Sequence, residues 1–493
     1  MNDRVFNKVL VANRGEIACR VLQALQQLNI TSVLVYHEAD KNSPALAMAN
    51  EAVELIGDSP TGAYLDMVQI IQICQRLGVD AVHPGYGFLS ENSQFARSLA
   101  SANITFIGPR AEIIELMGDK ITSRNFVAEH GYPVSPSITM DADDERFSIE
   151  ASKLGFPLVV KASAGGGGKG MSIVNSVQEL SGTLRVAASE AEKYFGDKRV
   201  YVERYFSSAR HIEVQVLGDG EHVIHLAERD CSVQRRFQKV IEESPAAHFS
   251  DAMREKICKV AVGIATAAKY SSAGTVEFLY TPEGELFFLE MNTRIQVEHP
   301  VTEMVTGVDL VVEQIKIAAG QPLLIKQSDI KPSGHAIECR ICAEDSFNGF
   351  LPEIGRVLFF KIPEGEGVRF DGGIYTGQLV TSAYDPMLAK VVVHAATREL
   401  ALEKAKKALA ELIILGVKTN IDYVKEILSH PEFVRGGVDT SFIKNYQHSI
   451  VQQPLSKQQQ QVILAAALLK DRKFSLLRDA TPSLYGAIGH WRN

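Results

Sequence analysis

The sequence has few cysteines, no lysine run and no long apolar stretch, and each absence removes a class of protein. Six cysteines in 493 residues (Cys19, Cys74, Cys231, Cys258, Cys339 and Cys342) are too few and too scattered for a disulfide framework. They suit a reducing compartment, and the cytoplasm is the expected location. Cys339 and Cys342 form a lone CxxC. With no second pair and no redox context, "AIECRICAE" reads as a strand with small buried thiols. No apolar run approaches the roughly 18 residues that cross a bilayer. The opening "MNDRVFNKVLVANRG" goes straight into a strand without the apolar stretch of a signal peptide, so no membrane partner is expected. Net charge is −8 with no basic stripe, which argues against nucleic acid. What remains is ordinary globular composition, 46% hydrophobic and 22% charged, with length for about three domains. No internal repeat is visible.

Glycine is concentrated in one place. "KASAGGGGKGM" sets four consecutive glycines between Lys161 and Lys169, and such a run carries a large entropy cost. It is not a P-loop: the position that must be glycine is Ser163, and Lys169 is followed by Gly170, not Ser or Thr. Gly165, Gly167 and Gly170 fit the letters of the dinucleotide fingerprint, but that motif needs a helix at once, and "GMSIV" reads as a strand. Strand "PLVVKASA", glycine loop and strand "MSIV" make a hairpin with a mobile tip. Its bare N–H groups can cradle phosphates; a flexible turn without a ligand is the other reading.

Along the chain, residues 1–115 alternate strand and helix. "NKVLVAN", "ITSVLVYH", "DAVHP" and "ITFIG" are strands; "RGEIACRVLQALQQLN" and "YLDMVQIIQICQRLG" are helices. The fold class is α/β, beginning with a Rossmann-like parallel sheet covered on both faces. Residues 116–205 carry a helix, the hairpin, a second helix near 177–195 and the strand "RVYVERY", forming a small α+β lid. Residues 206–330 are rich in strands and end in the helix "LVVEQIKIAAG". Residues 335–446 resume strands and end with the helix "RELALEKAKKALAELII". Residues 447–493 change character: "VQQPLSKQQQQ" is a linker into the helix "VILAAALLKD".

The densest chemistry lies in "TVEFLYTPEGELFFLEMNTRIQVEHP". Thr281-Pro282-Glu283-Gly284 has the type I turn signature, so two apolar strands form a hairpin. A loop symmetric about Pro282 and Glu283 sets residue 277 opposite 288. Glu277 and Glu290 are then diagonal neighbours on one face, roughly 7–8 Å apart. With Asn292 next on that face, the pair suits Mg²⁺, a hard ion that shares its oxygen ligands with nucleotide phosphates. If the chain stays extended, Glu290, Asn292, Arg294, Gln296 and Glu298 share one side, joining metal ligands, an anion clamp and a base. A solvated strand face is the bland alternative.

Taken in order, "VANRGEIACR", "HPGYGFLSEN", "FIGP", "LMGDK", "KASAGGGGKGM", "RHIEVQV", "ERDCSVQRR", "EMNTRIQVEHPVTE", "GHAIECRICAED" and "YDPMLAK" resemble biotin carboxylase, an ATP-grasp enzyme, across about residues 5–446. The resemblance implies a Rossmann-like N-terminal domain, an ATP-grasp domain whose glycine-rich lid closes over ATP, and a C-terminal mixed α/β domain. It implies that Lys120, Lys161, Gly166 and Gly167 bind nucleotide phosphates, and that Glu203 and Arg204 belong to the adenine segment, with His211 and Gln234 nearby. It assigns Glu277 and Glu290, assisted by Asn292, to two Mg²⁺ or Mn²⁺ ions. Lys239, Arg294, Gln296 and Val297 match the bicarbonate pocket, Glu298 the general base and Arg340 the residue that stabilises the biotin enolate. Tyr86 and Asp385 lie where biotin approaches. The implied partners are a biotin carrier on another domain or chain and a carboxyltransferase subunit, in a homodimer or larger hetero-oligomer.

Two features depart from the family pattern. Phe237 stands after "QRR" where the family usually has His, and "YPVSPSITMDADDER" replaces a glycine-containing loop, for which there is no physical account. "RDATPSLYGAIGHWRN" resembles the passage from biotin carboxylase into the next domain of acyl-CoA carboxylase α subunits of the methylcrotonoyl- and propionyl-CoA types. No Ala-Met-Lys-Met biotinylation motif is present in these residues. The expected function is therefore ATP- and bicarbonate-dependent carboxylation of biotin as the first half-reaction of an acyl-CoA carboxylase. The alternatives are an acetyl-CoA or pyruvate carboxylase component, another ATP-grasp carboxylate–amine ligase, or a non-catalytic scaffold with an impaired nucleotide site.

Overall fold

The computed structural model describes residues 6–141, 145–163 and 171–451, and beyond them 457–458, 461–462 and 464–465, which are helical. The tip of the glycine hairpin, with Gly166 and Gly167, lies outside the described residues, as does most of the stretch after 451.

Strands β1 (Lys8–Val11), β2 (Thr31–Tyr36), β3 (Glu51–Glu54), β4 (Ala81–His83) and β5 (Thr105–Phe106) form a parallel sheet in the order β3-β2-β1-β4-β5. Val9, Leu10, Val11, Val33, Leu34 and Val35 are all buried, the continuous apolar reading of strands covered on both faces. Helix α1 (Gly15–Gln27) buries Ile17, Val21, Leu22 and Leu25 at helical spacing. They share one core with Leu217, Ala273, Ile295, Leu310 and Ile315, which ties this sheet to the middle of the chain. Helix α2 (Met67–Leu77) starts later than expected. Asp66 accepts from the Gln69 N–H as its cap, and Pro60–Tyr64 is a separate short helix.

Helix α3 (Lys120–Glu129) leads into a lid sheet of β6 (Ser137–Thr139), β7 (Leu158–Ala162), β8 (Met171–Val174) and β9 (Val200–Arg204), in the order β6-β9-β7-β8. Lys161 pairs with Met171, so β7 and β8 form the expected hairpin. Helix α4 (Val177–Phe195) closes the lid core of Leu158, Val160, Val174, Leu180, Leu184 and Val202.

The largest sheet comprises β10 (Arg210–Asp219), β11 (Val223–Arg235), β12 (Gln238–Ser244), β13 (Ser271–Tyr280), β14 (Leu286–Asn292), β15 (His335–Cys342), β16 (Val368–Gly372) and β17 (Met387–Ala395). Its eight strands run in the order β14-β13-β10-β11-β12-β15-β17-β16. It joins five strands from residues 210–292 to three from residues 335–395; β12 pairs with β15 through Ile241 and Cys339. Helices α5 (Asp251–Ala267), α6 (His299–Thr306), α7 (Leu310–Ala318) and α8 (Arg398–Glu411) pack around it. The C-terminal part does not end with the helix expected over 398–414. Leu412 turns to extended backbone, and the β-branched Ile413 and Ile414 pair with Phe360 and Lys361. Three short helices follow, Ile421–Ser429, Pro431–Arg435 and Phe442–Tyr446. A Cβ on Gly373 would lie 2.6 Å from the Gly15 carbonyl carbon, so only glycine lets this segment touch the start of α1.

All six cysteines are free. Burial pushes the Cys339 and Cys342 thiols on β15 above their ordinary range, which suits inert side chains rather than a redox pair. Among the described residues, no helix is long and apolar enough to cross a membrane.

Candidate active site

The site is built on the face shared by β10, β12, β13 and β14. The 281–284 turn forms as expected, with Gly284 N–H donating to Thr281 at 3.0 Å. The register differs. Tyr280 pairs with Leu286, and the ladder slips once more, from Phe278–Phe288 to Glu277–Glu290. Leu289 is the extra residue. Glu277 and Glu290 therefore face each other directly, and are not diagonal neighbours.

The extended run also stops sooner than expected. β14 ends at Asn292, and Glu298 occupies the N-cap of α6, with Pro300 in its first turn. Thr293 and Ile295 are buried like Gln296 and Glu298, so the simple two-sided alternation is lost. The bend nonetheless folds the polar residues back on one another. Asn292 Nδ2 and Gln296 Nε2 donate to Glu277 at 2.9 and 2.7 Å. Arg294 reaches Asn292 Oδ1 at 2.9 Å and Glu91 at 2.9 Å.

Lys239 is the hub. Its ammonium donates to Glu213 at 2.6 Å, Glu277 at 2.9 Å and Glu298 at 2.5 Å. Burial works against this charge, but the three carboxylates outweigh it and hold the lysine well above its ordinary range. The other Glu298 oxygen accepts from Arg340 at 2.9 Å. Burial would raise the Glu298 carboxyl; Lys239, Arg340 and Arg229 instead pull it far below the usual carboxylate range. Glu298 is thus ionised, with a cation on each oxygen. Lys390 donates to the Val297 carbonyl at 2.7 Å, fixing that backbone group.

At the other end, His211 Nε2 lies 2.9 Å from Glu277 Oε2, and Gln234 Nε2 lies 2.8 Å from His211 Nδ1. Lys120 pairs with Glu290, while its backbone N–H donates to the Ser163 carbonyl at 3.0 Å, at the base of the glycine hairpin. Lys161 and Glu203 form a separate buried node with Arg124 and Ser135. Burial opposes the Glu203 charge, but Lys161 and Arg124 win, and its carboxyl sits below the ordinary range. Arg204 is exposed on the outer side, near the Phe206 ring. Tyr86 donates to Glu16 and lies within the field of Asp385 and Arg340. Asp385 caps the Met387 N–H at 3.0 Å. The neighbouring Tyr384 joins Tyr64 and Arg14 on the buried Asp40 carboxylate. Phe237 sits at the β11–β12 hairpin tip, 40% exposed, with φ +66°.

Sequence reasoning missed Glu213, Arg229, Glu91 and Lys390. Arg229 is fully buried and donates to Glu213, Gln215, Thr275, Gln296 and Thr302, so it sets both Lys239's partner and the Gln296 amide. All four lie inside motifs quoted above; only their distant partners distinguish them from their neighbours. Glu277, Glu290 and Asn292 offer hard oxygen donors on one face. Lysine ammonium groups already sit on both carboxylates, so this donor set fits a divalent cation such as Mg²⁺.

Three family models match in sequence: the biotin carboxylase N-terminal domain over residues 5–114, the carbamoyl-phosphate synthase L chain ATP-binding domain over 119–326, and the biotin carboxylase C-terminal domain over 338–445. The biotin carboxylase of Halalkalibacterium halodurans is 47% identical over 445 residues, 90% of this chain and 98% of the relative. The mitochondrial methylcrotonoyl-CoA carboxylase subunit alpha of Dictyostelium discoideum is 42% identical over 494 aligned positions, 99% of this chain and 70% of the relative. The biotin carboxylase domain dimer of Hydrogenobacter thermophilus 2-oxoglutarate carboxylase, solved with MgADP, ADP and bicarbonate, superposes with a TM-score of 0.88 at 43% identity. That match covers 91% of this chain and all of the solved one. The paired carboxylates, the Glu298 clamp and the lid therefore sit on a known frame, and the chain belongs to the biotin carboxylase family, with an ATP-grasp core.

Proposed function

We propose that this chain uses ATP and bicarbonate to carboxylate the biotin of a separate carrier, through carboxyphosphate. The observation that carries the reading is Glu298, ionised and held between Lys239 and Arg340. Bicarbonate is a poor nucleophile and must lose its proton to attack phosphorus. Glu298 takes that proton. An arriving anion, held by Arg294, draws Lys239 toward itself, and the loss of Lys239 frees one Glu298 oxygen to act as a base. Lys120 and Lys161, released from Glu290 and Glu203, turn to the nucleotide phosphates. Gly166 and Gly167 belong to the same phosphate-binding set, and Glu203, Arg204, His211 and Gln234 border the adenine end. Glu277, Glu290 and Asn292 would hold two Mg²⁺ or Mn²⁺ ions, which neutralise phosphate charge when bound. Carboxyphosphate then breaks down to CO₂ and phosphate. The phosphate takes the proton of biotin's ureido nitrogen, and the nitrogen attacks CO₂ while Arg340 steadies the enolate oxygen, with Tyr86 and Asp385 at its approach and Gln296 and the Val297 backbone beside bicarbonate. Lid closure keeps water from carboxyphosphate.

The five-part division at 115, 205, 330 and 446 is part of the same proposal, as is a cytoplasmic location. The finer assignment is to an acyl-CoA carboxylase of the methylcrotonoyl- or propionyl-CoA type. The D. discoideum alignment supports it by reaching into the residues beyond 450. The partners are then a biotin carrier and a carboxyltransferase subunit, in a homodimer or a larger hetero-oligomer. The deciding assay is bicarbonate-dependent ATP turnover with free biotin. A carboxylate–amine ligase would show no stimulation by biotin, and a scaffold subunit no turnover. Copurification with a carboxyltransferase tests the partner.

A further inference from the structure

Behind the Glu298 clamp, one face of the β12–β15–β17 ladder carries more buried charge than the reaction uses. Glu338 and Arg340 project to the same face of β15, two residues apart. Glu242 is the register partner of Glu338, and Lys390 that of Arg340. Helix α6 covers this face through Val301 and Val305, and brings Glu298 and His299 to it. From α1 and β16 come Glu16, Arg20, Arg369 and Asp371, with Lys390 3.2 Å from Glu16.

Glu242, Glu338 and Lys390 are fully buried. Both Glu338 oxygens and one Glu242 oxygen lack any hydrogen-bond partner. The nearby cations are already engaged: Arg340 with Glu242 at 2.5 Å and Glu298 at 2.9 Å, Lys390 with the Val297 carbonyl. Two adjacent, fully buried carboxylates, one of them without a donor, do not both ionise.

We propose that Glu242 and Glu338 share one proton, held chiefly on Glu338, and that this neutral acid is a positioning residue for Arg340 and Lys390. It leaves both cations directed out of the sheet, toward Glu298 and the Val297 carbonyl. The proposal rests on Arg340 and Val297 serving the reaction as described above. Electrostatics run the same way. Burial, reinforced by Glu242 and Glu298, keeps the Glu338 carboxyl well above the usual range against the pull of Lys390 and Arg340. Burial likewise raises Glu242 to about 7. The pair titrates as a unit. As pH rises through that titration the new carboxylate draws Arg340 and Lys390 inward, and biotin-stimulated turnover falls.

The test uses the full chain, its E338Q variant and free biotin. Infrared spectra of the wild type should show a protonated-carboxyl band at neutral pH that disappears on alkaline titration and is missing in E338Q. Wild-type biotin-stimulated turnover should fall about tenfold by one pH unit above that transition, where roughly nine-tenths of the acid is ionised. E338Q, which cannot ionise, should fall less than about twofold over the same span. Absence of the band, or an unchanged alkaline fall in E338Q, overturns the proposal. If the wild type shows no biotin stimulation, the functional reading fails, while the infrared band alone still decides where the proton sits.

Discussion

Glu277 stands directly opposite Glu290 across β13 and β14 because Leu289 is an extra residue in the ladder. Direct partners approach to roughly 4.5–5.5 Å between Cβ atoms, closer than the diagonal spacing. Two carboxylates so close repel each other unless cations neutralise them. In the structure Lys239 is paired with Glu277 and Lys120 with Glu290.

Glu290→Gln should therefore weaken the dependence on Mg²⁺ far more than it weakens folding. It removes one charge from a repelling pair and keeps the side-chain volume. A Mg²⁺ titration of ATP turnover should shift to higher concentration, with the unfolding midpoint within a few degrees of wild type. An unshifted titration removes Glu290 from the metal site.

Glu298→Gln should lower turnover by about 10²–10⁴, the usual worth of a general base. The amide keeps the α6 N-cap position but cannot take the bicarbonate proton. ATP affinity should change little. A near-normal rate would assign the proton to another group.

Phe237→His should tighten the apparent ATP KM by about tenfold at most, the worth of one neutral hydrogen bond. Bicarbonate dependence should hardly change. The left-handed backbone at residue 237 adds a second expectation. Bulky aromatic residues pay for that conformation, whereas Asn is enriched there, so Phe237→Asn should raise stability by about 0.5–1 kcal/mol. Activity that switches on only in the His variant would mark this nucleotide site as disabled.

Glu243 provides an acid-stability prediction. Burial alone would raise its pKa, but His335 at 2.8 Å and Arg398 at 2.6 Å bring it down to about 2. Its folded-state pKa thus lies below the unfolded value. The stabilisation is present above about pH 4.5 and disappears as pH falls toward 2. Its size is about 3 kcal/mol. Denaturant unfolding of wild type and Glu243→Gln should differ at neutral pH and converge in acid.

Four strands of the parallel sheet were legible as short apolar runs and its helices from their 3.6-residue spacing, whereas the edge strand β3, Glu51–Glu54, has a charged residue at each end and was not read. The common face of Glu277 and Glu290 was legible from turn chemistry, but the bulge at Leu289 left no mark in the residue types. The turn into α6 did leave one, since proline favours the first turn of a helix and "EHP" precedes an apolar run. Reading the polar alternation as strand overrode that signal. Arg229 was illegible for another reason. Its partners lie 14 to 73 residues away, and nothing local separates it from Arg235. The quoted motifs located the site; the contacts within it required three dimensions.

The β12–β15 ladder is also a seam at which the chain could be severed. A cut in the 320–334 connection would leave β12 at the open edge of one fragment and β15 at the open edge of the other. Each edge would expose unpaired backbone groups along Ile241–Ser244 or Ala336–Cys339. Expressed alone, either fragment should aggregate through that edge; expressed together, the two should zip into one soluble particle. Half of the Glu298 clamp would travel with each, Lys239 on one and Arg340 on the other, so carboxylase activity would report the reunion directly.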